Sequence, residues 1–366
     1  MADHPAPRSG ILDIDLYIGG ESQATPHPLL GRPIRLAANE GAFGPSPAAK
    51  AAFGPIADDL HRYPEGPSTD LRAAIARVHG LEADRIVLGH GSDELIANLV
   101  RAYAGPGDEV LYSAHGFLMY KIAALASGAT PRPVPERDLT ADVDAILATV
   151  SPATKMIFLA NPNNPTGTVL PVEEVRRLQA GLPASVLLVL DGAYAEFVNR
   201  NDYDPGIGLV ESCPNVVMTR TFSKIHGLAA LRLGWCYAPA PVADVLNRVR
   251  DPFNVSLVAQ RVGVAAIQDT EFVAQSRRHN DQWRQWLSDQ LRALGLTVHP
   301  SVANFILADF AGRADMTARQ AAAQLKDKGI LVRPVASYGL PTCLRISIGP
   351  EDEMRAVADA FAELLG

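Results

Sequence analysis

A chain of 366 residues, 48% of them hydrophobic, has apolar side chains enough for a large core and a length suited to two or three domains. Its net charge of −7, with no basic cluster, argues against nucleic acid or an anionic membrane as main partner. Three scattered cysteines, Cys213, Cys236 and Cys343, form no CxxC pair and point to neither a disulfide framework nor a metal site. The N-terminus has no apolar signal core and no run reaches membrane-spanning length, so a soluble cytoplasmic protein is expected.

Residues 1–33 are rich in Pro and Gly and read as an arm laid over the rest, with Tyr17 as an apolar anchor. Residues 34–38 form a short apolar strand ending in the turn-rich loop Asn39-Glu40-Gly41-Ala42-Phe43-Gly44. Helical patterns follow at 47–53 and 68–79, with Tyr63 in a Pro-Gly loop between them. A strand at 85–88 runs into Gly89-His90-Gly91-Ser92-Asp93-Glu94, which opens a helix to about residue 103. Free backbone N–H groups and the helix dipole make such a loop a seat for phosphate, and Ser92 or Asp93 can cap the helix at the same time. Glu94 stands where a third glycine would belong, so this is no dinucleotide fingerprint.

Strands are expected at 109–112, 156–160, 186–191, 216–221 and 234–238, and helices near 117–127, 139–149, 171–180 and 240–250. Short, almost wholly apolar strands alternating with helices indicate a parallel sheet buried on both faces. Ligands in such sheets lie beyond the carboxyl ends of the strands. The clusters at 91–93, 161–167, 191–194 and 221–224 all lie just past a strand end, which implies one cleft. Residues 256–294 read as a long helical stretch. Strands at 305–308 and 344–348, with helices near 316–328 and 350–365, complete a smaller α+β domain. The expected division is an arm over 1–33, a large domain over 34–255 whose first residues also join the small one, and a small domain over 256–366.

The stretch Thr221-Phe222-Ser223-Lys224 carries the most chemistry. A lysine amine condenses with an aldehyde, two hydroxyls flank it, and Arg232, eight residues on, offers a planar fork for phosphate. These are the needs of pyridoxal phosphate, although the stretch alone also suits a surface lysine with a stray arginine. Asp191 ends an apolar strand, where a carboxylate is costly unless a pyridinium nitrogen, a helix cap or a salt bridge pairs it. Tyr194 can donate to a phenolate oxygen or merely pack. Arg345 is a lone charge in an apolar strand, either a bidentate clamp for a carboxylate or an edge residue reaching solvent. Arg333 is a candidate for a second anion.

Taken in order, Asn161-Pro162-Asn163-Asn164-Pro165-Thr166-Gly167, then Asp191 with Tyr194, then Ser223-Lys224 with Arg232, then Leu344-Arg345-Ile346 resemble the fold-type I pyridoxal-phosphate-dependent aminotransferases of class I/II. Within that group the chain most resembles the histidinol-phosphate aminotransferases, from about residue 11 to the C-terminus. The resemblance implies an α/β fold with a mainly parallel seven-stranded sheet between helices in the large domain. It implies that Lys224 bonds pyridoxal phosphate and shuttles the substrate proton, that Asp191 pairs with the pyridinium nitrogen, and that Asn164 and Tyr194 hold the phenolate oxygen. Ser92, Asp93, Thr221, Ser223 and Arg232 would bind the phosphate, and His115 would stack on the ring. Tyr63 would reach the phosphate in the neighbouring subunit of a homodimer. Asn39 would border the substrate, Arg345 would clamp the carboxylate of glutamate, and Tyr17 and Arg333 would face the variable end.

The reaction so implied converts histidinol phosphate and 2-oxoglutarate to imidazole acetol phosphate and glutamate, a step of histidine biosynthesis. An aromatic amino-acid aminotransferase, or a decarboxylase of a phosphorylated amino acid such as threonine phosphate, would use the same scaffold. A pyridoxal-phosphate-sensing regulator would need an N-terminal DNA-binding domain where only a short arm precedes the fold. The chain departs from the family in three places. Gly192 replaces a Glu, His115 stands for the stacking Tyr, and the loop Asn39–Gly44 replaces one with an Asn-Pro-Tyr-Gly or Asn-Pro-Leu-Gly ending.

Overall fold

The apolar runs of the first two thirds of the chain become strands that alternate with helices. The computed structural model describes residues 6–21 and 23–366, so residues 1–5 and Ser22 of the expected arm lie outside it. In order come β1 (Ile34–Arg35), α1 (Pro47–Phe53), α2 (Thr69–His79), β2 (Ile86–His90), α3 (Gly91–Tyr103), β3 (Glu109–Ser113), α4 (Leu118–Ser127) and β4 (Thr130–Val134). A small hairpin of β5 (Glu136–Arg137) and β6 (Thr140–Ala141) precedes α5 (Val143–Thr149), β7 (Thr154–Ala160), α6 (Val172–Gly181), β8 (Leu187–Asp191), α7 (Ile207–Ser212), β9 (Val216–Thr221), β10 (Leu233–Tyr237) and α8 (Ala240–Val249).

Seven strands form one sheet in the order β2-β10-β9-β8-β7-β3-β4. β10 runs antiparallel to both neighbours and all other pairs are parallel. Helices cover both faces, which is why the central strands lack polar alternation. Leu188, Leu190, Met218 and Trp235 pack on one side with Leu71 and Ile75 of α2. Val189, Val217 and Cys236 pack on the other with Leu95, Ile96 and Leu99 of α3. β4 is the strand that the residue pattern hides. Pro131 and Pro133 remove ladder donors, and the fold tolerates them because β4 lies at the sheet's open edge.

The expected helical stretch at 256–294 is two helices, α9 (Leu257–Gln268) and α10 (Thr270–Ala293). They part at Asp269, whose carboxylate accepts from the Phe272 N–H at 3.2 Å and starts α10. α9 lies beyond the expected boundary at 256, yet Ala259, Val262, Ala266 and Ile267 belong to the core of the large sheet. The remaining elements are β11 (Thr297–His299), β12 (Phe305–Asp309), α11 (Ala318–Asp327), β13 (Ile330–Leu331), β14 (Arg333–Pro334), β15 (Cys343–Ser347) and α12 (Glu351–Leu365). An antiparallel sheet, β11-β12-β15-β14, packs Ile306, Leu344 and Ile346 with Leu287 of α10 and Phe361 of α12. β1 joins this second unit by pairing with β13, Ile34 against Ile330. The arm passes α4, where Lys121 pairs with Asp15 at 3.4 Å, and continues to Arg333, which donates to the carbonyls of Ile18 and Gly19 at 2.6 and 2.5 Å. Among the described residues no helix is long and apolar enough to cross a membrane.

Candidate active site

A cavity of about 250 Å³ opens beyond the carboxyl ends of β7, β8 and β9, against the start of α3 and the facing β15. Tyr17, Asn39, Ser92, Asp93, Asn164, Asp191, Tyr194, Thr221, Ser223, Lys224, Arg232, Arg333 and Arg345 all border it. Parallel strands end together, so short polar motifs far apart in sequence meet there.

Asp191 is the buried last residue of β8. Tyr120 of α4 donates its hydroxyl to Oδ2 at 2.6 Å, and the Ala193 N–H donates to Oδ1 at 3.1 Å. Burial pushes the Asp191 carboxyl above its ordinary value, while the Tyr120 and Ala193 bonds pull it back toward the charged form. Tyr120 is held in turn by stacking on Phe158, with centroids 4.5 Å apart and planes 5° from parallel. Sequence reasoning passed over Tyr120. The one available signal was its place on α4 three residues past Phe117, on the face that meets the sheet.

The expectation for His115 is corrected. Its Nδ1 donates to the Tyr338 carbonyl at 2.6 Å, and the ring borders a separate cavity beside Glu136 and Arg200. The aromatic that borders the Asp191 cavity from this loop is Phe117, set edge-on to Tyr120 at 5.8 Å and 90°. The cause is a tight turn in which the Gly116 N–H donates to the Ser113 carbonyl at 2.7 Å. It sends residue 115 outward and residue 117 inward.

Lys224 follows β9 and is partly buried. Its Nζ donates to the Ala38 carbonyl at 3.1 Å and stands 5.8 Å from the centre of the Tyr194 ring. Burial, helped by the positive charge of Arg345, lowers its pKa from 10.5 to about 8. The neutral, nucleophilic amine therefore dominates above about pH 8. Reductive methylation of the protein free of small molecules is expected to modify Lys224 with a midpoint near pH 8, read by peptide mass spectrometry. A midpoint near 10.5, like that of an exposed lysine, would contradict the desolvated amine.

An anion seat lies beside this amine. α3 begins at Gly91 and among the described residues no side chain caps it, Ser92 and Asp93 included, so its first N–H groups are open to the cavity. Arg232 reaches the same place, with Nη1 3.4 Å from Ser223 Oγ and Nη2 2.9 Å from Asp93 Oδ2. Thr221 Oγ1 donates to Ser223 Oγ at 3.0 Å and accepts from the Ser223 N–H at 3.1 Å. Two glycines permit this crowding. A Cβ on Gly91, at φ +77°, would lie 2.5 Å from Arg232 Nη2, and one on Gly234 would lie 2.4 Å from the Ser92 nitrogen.

On the opposite wall Asn39, at φ 55°, donates from Nδ2 to the Tyr194 hydroxyl at 2.9 Å. Ser347 Oγ donates to Asn39 Oδ1 at 3.1 Å and accepts from the Asn39 N–H at 2.9 Å. Arg345 is buried; its Nη1 donates to Asn164 Oδ1, its Nη2 to the Ala37 carbonyl at 2.8 Å, and among the described residues its Nε has no partner. A buried guanidinium with a spare donor, facing a cavity, is a ready seat for a carboxylate. The glycine after Asp191 also has a physical reason. A Cβ on Gly192 would lie 2.9 Å from Arg220 Cδ, and Arg220 instead pairs with Glu196 at 2.7 Å.

Tyr63 is not brought to this cavity within the chain. It is exposed and stacks on Phe253, with centroids 4.8 Å apart. The cavity therefore joins an amine of lowered pKa, an anion seat, a buried carboxylate and a buried arginine.

The family model for aminotransferase class I and II matches residues 32–361. The histidinol-phosphate aminotransferases of Paramagnetospirillum magneticum and Rhodospirillum centenum are 58% and 56% identical to this chain, each over 99% of both chains. The crystal structure of histidinol-phosphate aminotransferase from Sinorhizobium meliloti, in complex with pyridoxal-5'-phosphate, superposes with a TM-score of 0.88 at 29% identity, covering 100% of this chain and 99% of that one. The order of the four strand-end motifs, their meeting around Lys224 and the match along nearly the whole chain have one common explanation: the chain belongs to the class I and II aminotransferases.

Proposed function

We propose that this chain is a pyridoxal-phosphate-dependent transaminase that moves the amino group of histidinol phosphate to 2-oxoglutarate. The observation that carries this reading is the placing of Lys224 between one anion seat at the start of α3 and two further cations, Arg345 and Arg333, on the same cavity. One seat suits a cofactor phosphate, and the other two suit a substrate carboxylate and a substrate phosphate. The high identity with histidinol-phosphate aminotransferases along the full length supports the choice of substrate.

The residues fit pyridoxal phosphate. The cradle at Gly91 leaves no room for a Cβ, the amine beside it has its pKa lowered to about 8, and at Asp191 waits a carboxylate that among the described residues has no cation of its own. When bound, the cofactor supplies an electron sink for the substrate carbanion. Lys224 would hold it covalently through Nζ and, once displaced by the substrate amine, take the proton from the substrate Cα. Asp191 would keep the ring nitrogen protonated, and Tyr120 would hold Asp191 in place. Ser92, Asp93, Thr221, Ser223 and Arg232 would hold the phosphate, Asn164 and Tyr194 the phenolate oxygen, and Phe117 would supply apolar surface on the cavity wall. Arg345 would exchange its contacts to Asn164 and Ala37 for a substrate carboxylate. Tyr17 and Arg333 would face the far end of the substrate, with Asn39 at its border.

The protein would act in the cytoplasm as a homodimer. Leu12, Leu16, Ile18 and Leu29 of the arm are exposed, as are Phe53, Leu60, Tyr63 and Phe253, more apolar surface than a lone chain in water would keep. Tyr63 would serve the neighbouring subunit's phosphate seat.

Turnover with histidinol phosphate, phenylalanine and threonine phosphate, each with 2-oxoglutarate, tests the reading. Histidinol phosphate is expected to exceed phenylalanine in kcat/KM by about 100-fold or more, because phenylalanine leaves Arg333 without an anion. Equal use of phenylalanine, or release of carbon dioxide from threonine phosphate without a keto acid, would replace it with one of the two rival activities.

A further inference from the structure

The loop after β1 carries a carboxylate that the reaction above does not use. Glu40 borders the same cavity as Lys224 and Arg333. Its negative charge opposes the effect of burial at Lys224. The backbone beneath it is fixed. Asn304 Nδ2 donates to the carbonyls of Asn39 and Glu40 at 3.1 and 3.2 Å. Gly41 presses on the Lys224 loop so closely that a Cβ there would lie 2.6 Å from the Lys224 carbonyl oxygen.

Among the described residues Glu40 forms one ion pair, with Arg35 at 3.6 Å, and both side chains remain about half exposed. A contact of that length at a wet surface is weak and exchanges readily for another cation. Arg333 and Tyr17 border the same cavity. A pocket with an anchored carboxylate and a separate guanidinium matches a ligand that has a cationic or N–H-bearing ring and an anionic end.

We propose that Glu40 recognises the imidazole ring of the substrate, accepting a hydrogen bond from its N–H and pairing with its protonated form. This rests on the histidinol phosphate reading of the site. Glu40 is then the residue that selects imidazole over a phenyl ring of similar size. A phenyl ring desolvates the carboxylate and returns no donor, and a site built around a polar group rejects such an analogue far more strongly than it rejects a change of one methylene. The loop Asn39–Gly44 thereby becomes a specificity loop, because it carries a carboxylate at the border of the cavity.

The test compares histidinol phosphate with phenylalaninol phosphate, which keeps the amine and the phosphate and changes only the ring. The holoenzyme is measured as wild type, Glu40→Gln and Arg35→Ala, by kcat/KM and by calorimetric titration of each ligand. Glu40→Gln is expected to shrink the preference for the imidazole ligand by about 10- to 100-fold, the range of a charge-assisted hydrogen bond, in both readouts. Arg35→Ala, which frees the carboxylate, is expected to keep the preference or raise it. An unchanged ratio in Glu40→Gln, or an equal loss on both ligands, overturns the role of Glu40. A fall in Arg35→Ala as large as that in Glu40→Gln assigns the effect to the ion pair and overturns it as well. A wild-type protein that does not use histidinol phosphate is a different failure, because it removes the substrate reading on which this inference rests.

Discussion

Replacing Lys224 by alanine is expected to lower turnover by about 10⁴-fold or more, because one amine both holds the cofactor and moves the substrate proton. Among the described residues that border the cavity no other is a lysine. Nζ is the amine that stands in the cavity beside the Thr221–Ser223 cradle, and its pKa, lowered to about 8, sets it apart from an exposed lysine. A second readout separates chemistry from binding. After borohydride treatment the wild-type peptide containing residue 224 should carry the mass of pyridoxal phosphate, and no peptide of Lys224→Ala should. The variant should still bind the cofactor without a covalent bond, since Arg232, Ser223 and the start of α3 are untouched. Full turnover in Lys224→Ala, or covalent labelling at another lysine, would contradict the assignment.

Asp191→Asn is expected to reduce kcat by roughly 10²- to 10³-fold with a smaller change in KM, the usual result of removing one buried group that stabilises charge as it develops. An amide keeps the shape of Asp191 and can still accept from Tyr120, but it cannot balance a positive ring nitrogen. The stability of the cofactor-free protein should move the other way. Among the described residues the buried Asp191 carboxylate is bonded to neutral donors alone, Tyr120 and the Ala193 N–H. A buried charge without a counter-charge is costly, so the amide should leave the melting temperature unchanged or raise it. The cofactor should then stabilise Asp191→Asn less than it stabilises the wild type. Thermal melts with and without pyridoxal phosphate read this difference. An equal gain in both proteins would mean that Asp191 does not face the ring nitrogen.

Much of the site was legible from residue types and spacing. Lys224 after an apolar strand, Asp191 at the end of another and Arg232 eight residues past the lysine are local facts, and parallel strands bring their ends together. His115 shows where local reasoning stops. The loop between β3 and α4 contains a histidine and a phenylalanine two positions apart, and only the Ser113–Gly116 turn decides which of them faces inward. Tyr120 was missed for a related reason, because its partner Asp191 lies 71 positions away and no pattern within α4 marks the contact.

By itself the sequence determined the alternation of strand and helix, the four motifs at strand ends and the set of reactive groups, because hydrophobic periodicity, turn chemistry and side-chain type act over a few residues. Only the tertiary structure decided that α9 packs with the large sheet, that Phe117 borders the cavity and that Glu40 borders it together with Lys224. Those outcomes depend on contacts such as Asn39 with Tyr194 and Arg345 with Asn164, 155 and 181 positions apart, and the packing that brings such partners together belongs to the whole chain at once.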